Sequence, residues 1–164
     1  MTTLSNRWGI FFLIAIALLA TSACRESGLQ SVKCDQLAVP ESSELMSLEH
    51  EVDYKALNST SLDADVAKLY GIDQEETLGV VMVSVYQTDE KGIGVETCVS
   101  GWTTNLIGQK KRLEFEEIRE GAAIYHISTF PFSHMDHMTF DVDVRIVATG
   151  ETHELKWKQQ FWRG

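Results

Sequence analysis

Leu78–Tyr86, LGVVMVSVY, is the stretch that most narrows what this chain can fold into. Outside the N-terminus no run is more continuously apolar. Val80, Val81, Val83 and Val85 are stiff at χ1, which disfavours a helix and suits a sheet. Leu78, Val80 and Met82 point one way, Val81, Val83 and Val85 the other. A strand apolar on both faces must be covered on both, so this one is expected at the centre of its sheet.

The other periodic segments follow the same rule. Met138–Ala148 alternates most cleanly, with Met138, Phe140, Val142, Val144 and Ile146 inward and Asp141, Asp143 and Arg145 outward. Further strands are predicted at Glu51–Leu57, Val95–Thr104, Arg112–Ile118, Ala122–Phe130 and Thr152–Trp162. In Val95–Thr104, Cys98 and Trp102 share one face. In the last strand Leu155, Trp157 and Phe161 oppose Lys156 and Lys158. Between the first strand and the central one, Leu62, Val66 and Leu69 recur at helical spacing. Acids at the start and Gly71 at the end supply cap chemistry for one short helix. Seven short strands with turn signals between them predict an all-β fold. It is an immunoglobulin-like or fibronectin-like antiparallel β-sandwich with one short helix, with a small barrel as the alternative.

The N-terminus reads as a secretory signal over residues 1–23. Arg7 precedes an apolar core that ends in the small residues Thr21, Ser22 and Ala23. Cys24 follows at once, and the stretch resembles a bacterial lipoprotein signal with Cys24 as the acyl acceptor. Ordinary cleavage after Ala23 is the other reading. Residues 24–50 are polar and aperiodic and read as the lipid-attachment Cys and a tether, with residues 51–164 as the sandwich domain. The expected location is the periplasm, anchored to the outer membrane through lipid. The formal charge is −10, which repels nucleic acid and anionic headgroups and favours neutral, cationic or metal partners.

Candidate sites are few. No Gly-x-Ser-x-Gly, phosphate-binding loop, His-Glu-x-x-His or dinucleotide fingerprint occurs, so no catalytic set is expected. His134, Met135 and His137 form the one metal-like cluster, whose imidazoles and thioether would suit copper or zinc. Solvated loop histidines are the plainer reading. In an oxidising compartment Cys34 and Cys98 could pair and pin the tether to the sandwich. A buried free thiol at Cys98 is the competing reading. Trp162, at the end of the last strand, is the candidate for contact with another protein.

Several ordered motifs carry a resemblance. They are Tyr54-x-Ala56-Leu57-Asn58-Ser59-Thr60, then Val66-Ala67-x-x-Tyr70-Gly71, then Thr104-Asn105-Leu106-x-Gly108-Gln109. Phe115-x-Glu117-Ile118-Arg119-Glu120-Gly121 and Ala123-Ile124-Tyr125 follow. In this order and spacing the chain resembles domain of unknown function 4426, a family of small exported proteobacterial proteins. The resemblance implies an exported sandwich-like domain with no assigned activity, and His134 and His137 are not part of its pattern. The functional expectation is a non-enzymatic binding or assembly module contacting another envelope protein, with copper or zinc binding at His134 and His137 as the alternative.

Overall fold

The computed structural model describes residues 50–89 and 92–164. Two four-stranded antiparallel sheets enclose the core. The strands are β1 (His50–Asn58), β2 (Leu78–Gln87), β3 (Thr97–Thr104), β4 (Lys110–Leu113), β5 (Glu116–Glu120), β6 (Ala123–Pro131), β7 (Asp136–Ile146) and β8 (Thr152–Phe161). The first sheet has the order β1-β2-β6-β5, the second β4-β3-β7-β8. This is the strand arrangement of an immunoglobulin-like sandwich, with β4 as an added edge strand.

β2 lies inside its sheet, as its two apolar faces require. Val81, Val83 and Val85 enter the main core with Phe130, Phe140, Val142, Val144 and Phe161. Val80 faces the other way, into a second cluster with Ala67, Ile72 and Ile127. A six-residue helix, α1 (Ala64–Leu69), helps cover that outer face. The Asp63 carboxylate accepts from the Asp65 N–H at 2.9 Å, which caps α1. Gly71 ends it at φ +66°, a left-handed conformation that glycine adopts without strain.

Two expectations need correction. Leu69 is exposed, and the buried seats of this segment belong to Ala67 and Ile72. In a helix this short, the sheet beneath decides which side chains are covered. The second concerns Arg112–Ile118, which is two strands rather than one. β4 pairs with β3, whereas β5 pairs with β6 in the other sheet. Only Glu114 and Phe115 separate them, so the chain changes sheets there. Leu113 is buried and Phe115 packs on the same core, so the inward alternation continues through the crossing. The count is therefore eight strands among the described residues.

The sheets are also joined by polar contacts. His126 Nε2 and Thr97 Oγ1 lie 2.9 Å apart across the buried interior. Burial lowers the His126 pKa below its ordinary value, outweighing the opposing pull of Glu117 and Glu96. Arg119 of β5 reaches Glu96, just ahead of β3, at 2.7 Å and Glu117 at 2.6 Å. Among the described residues no helix is long and apolar enough to cross a membrane.

Candidate functional site

The outer face of the β4-β3-β7-β8 sheet gathers most of the chemistry this sandwich displays. Strand alternation sends every second side chain there, and the register arranges them in rows. The first row runs Lys110–Thr104–Thr139–Lys158. The second is Arg112–Trp102–Asp141–Lys156. The third carries Ser100, Asp143 and Glu154, and the fourth Cys98, Arg145 and Thr152.

Charge changes sign along this face. Its first two rows hold Lys110, Arg112, Lys156 and Lys158 with one carboxylate, Asp141. Lys156 Nζ lies 2.8 Å from Asp141 Oδ1, and that contact raises the Lys156 pKa. The Lys110 ammonium sits over the Trp102 ring, 4.9 Å from its centroid, a cation–π geometry. Trp102 is 41% exposed. Beyond Trp102 the face opens into a basin of about 680 Å³ whose lining includes Cys98, Ser100, Glu114, Asp143, Arg145 and Glu154. Among the described residues the basin has no convergent set of nucleophile, base and oxyanion donors, and its carboxylates stand on an open surface.

A model of the family Domain of unknown function (DUF4426) matches residues 47–164. The chain belongs to the DUF4426 family. It is similar to a DUF4426 family protein from Pseudomonas aeruginosa whose crystal structure is known. The two share 28% identity with a TM-score of 0.59, over 70% of this chain and 90% of that one. No curated protein matches the chain.

The DUF4426 domain places the sequence candidates as follows. Cys24 and Cys34 lie outside the described residues. Cys98 is buried and disulfide-bonded, with its partner outside the described residues. His134 and Met135 lie just before β7 and His137 is its second residue, and all three are exposed. His134 Nδ1 accepts the Arg163 backbone N–H at 3.2 Å, and Met135 has φ +61° with its carbonyl accepting from Gln160 Nε2. Among the described residues no group of three or more His, Cys, Asp or Glu side chains could hold a metal ion. Met138 is a core residue, as its place in the alternation requires. Trp162 is 51% exposed just past β8. Its carbonyl accepts from Asn58 Nδ2 at 2.7 Å, which ties the end of β8 to the end of β1.

Sequence reasoning missed the basic and aromatic half of the outer face. Trp102, Lys110 and Arg112 share the β3–β4 hairpin, but Lys156 and Lys158 come from β8, and nothing local marks the two groups as neighbours. The run Lys110-Lys111-Arg112, in an acidic chain, was the one available signal.

Proposed function

We propose that this protein is an exported, non-enzymatic binding or assembly module of the bacterial envelope, attached to the outer membrane through lipid on Cys24. Its partner is another envelope protein. The observation that carries the binding part is the corner where β8 meets β1. Trp162 and Met135 are both exposed there, and their backbone carbonyls accept from the Asn58 and Gln160 side-chain amides. An exposed Trp in a pre-set position is a common anchor of protein contacts, because little conformational freedom is lost on docking.

The disulfide at Cys98 supports the exported part, since such bonds persist in oxidising compartments. The reading pairs Cys98 with Cys34. That bond would pin the tether to the outer face of the second sheet while Cys24 holds the membrane.

A photo-crosslinking residue at Trp162 in living cells tests the binding reading. A discrete adduct with an envelope protein, lost when Met135 is changed to Asp, is the expected result. Absence of any adduct, with the protein folded and exported, would sink it.

A further inference from the structure

The hairpin joining β3 to β4 carries a second surface, at the same end of the second sheet as Trp162 but on its β4 edge rather than its β8 edge. Its tip is Leu106-Ile107, whose side chains are 72% and 79% exposed. Two large aliphatic side chains this far out have no share in the core. The loop that presents them is firmly built. Asn105 Oδ1 accepts the Gln109 N–H at 2.8 Å, Asn105 Nδ2 donates to Gln109 Oε1 at 2.8 Å, and the Asn105 N–H donates to the Gln109 carbonyl at 3.1 Å. Gly108 closes the turn at φ +80°. The apolar tip is thus pre-set, and docking it would cost little ordering.

Directly behind the tip stand Lys110, on the outer face with Trp102 under its ammonium, and Lys111, on the other face of edge strand β4; both lysines are exposed. Lys158 lies in the same row as Lys110. Among the described residues Lys110, Lys111 and Lys158 make no ion pair, unlike Lys156 and Arg112.

We infer that the β3–β4 hairpin is a docking point for an anionic phospholipid surface, with Leu106 and Ile107 entering the headgroup boundary. Lys110, Lys111 and Lys158 meet lipid phosphates, and Trp102 sits at the interface. An aliphatic tip backed by unpaired cations and a half-exposed Trp is the composition of an interfacial anchor. A protein partner is less well matched, because Leu106 and Ile107 project from a turn rather than lining a concave apolar patch.

The chain's net charge of −10 does not forbid this. At physiological ionic strength charges are screened over about 8 Å, so the field at the lipid surface is that of the nearest side chains. The carboxylates Glu114, Asp143 and Glu154 lie in the basin, further from the tip along the same face. The inference does not rest on the protein-partner reading, since it concerns different residues and needs no second protein.

Hydrogen exchange of the full exported chain on vesicles is the test, read at the peptide spanning residues 105–112. The vesicles are phosphatidylcholine alone or phosphatidylcholine mixed with phosphatidylglycerol. A lipid on Cys24 would bring the protein to both kinds of vesicle, so surface attachment alone does not produce the readout. Slowed exchange of 105–112 is expected only with phosphatidylglycerol. It should vanish in Leu106→Ser/Ile107→Ser and weaken on adding salt. Lys110→Glu/Lys111→Glu should lose it too, each lost cation lowering the docking constant roughly fivefold. Unchanged exchange in β7 shows that the variants remain folded. No slowing on either vesicle, or equal slowing on both, overturns the inference. So does slowing of 105–112 that appears only when another envelope protein is present.

Discussion

Gly79 and Phe130 face each other across the β2–β6 ladder, and the Phe130 ring lies over the glycine. Phe130 is fully buried and packs edge-on against Phe140 and Phe161, with centroids 5.1 and 5.2 Å away. A Cβ on residue 79 would occupy the space the ring needs. Gly79→Ala should therefore destabilise the domain by about 1–3 kcal/mol through overpacking. Chemical denaturation beside the parent protein measures this. An unchanged midpoint would mean that the aromatic cluster can shift at little cost.

Thr103 offers a change in the other direction. Its side chain is buried on the second sheet's inner face, and its hydroxyl has no hydrogen-bond partner among the described residues. Thr103→Val keeps the shape and removes an unsatisfied polar group. Stability should rise by about 1 kcal/mol, seen as a melting temperature a few degrees higher. A drop would show that the hydroxyl is satisfied in solution.

His126 gives the domain a pH dependence. Its folded pKa is lowered by burial, so the unfolded chain takes up the proton first as pH falls. Protons bound preferentially by the unfolded state reduce stability. The contribution is complete above the ordinary histidine pKa of about 6.5 and is lost as pH drops below it. The groups facing the ring are Thr97, Glu117, Glu96 and Arg119. The melting temperature should fall from neutral to mildly acidic pH, and this slope should flatten in His126→Gln. Equal slopes in both proteins would place the sensitivity elsewhere.

Cys98 links the sandwich to chain outside the described residues. Reduction, or Cys98→Ser, should cost about 2–4 kcal/mol, the usual range for closing a long loop. If Cys34 is the partner, Cys34→Ser alone should have the same effect as Cys98→Ser, and the double change should add nothing. An equal loss from Cys24→Ser instead would reassign the pair and remove Cys24 as the lipid site.

Much of the fold was legible in side-chain periodicity. The two-sided apolar run predicted β2 as an interior strand, and the alternation of Met138–Ile146 predicted which side chains of β7 fill the core. The reading failed at Arg112–Ile118 because Leu113 and Phe115 keep the same inward phase while the backbone leaves one sheet for the other. It failed at Leu69 because α1 has too few turns for its own pattern to select a face. Of the candidate site, the exposure of Trp162 and the phase of Lys156 and Lys158, opposite Leu155, Trp157 and Phe161, were readable. That Lys110 lies over Trp102, in a row shared with Lys158, was not.

Residue order alone was enough to point to the sandwich class, the central strand and the inward set of β7, because burial alternates with a period of two within each strand, and its ordered motifs pointed to the family. Tertiary structure alone decided the strand order, the crossing between β4 and β5, and the split of one sheet face into basic and acidic halves. Hydrogen-bonded neighbours in a sheet are chosen by long-range pairing. Lys110, Trp102, Asp141 and Lys158 become a surface only after the β3–β4 hairpin is laid beside the β7–β8 hairpin, distant from it in sequence.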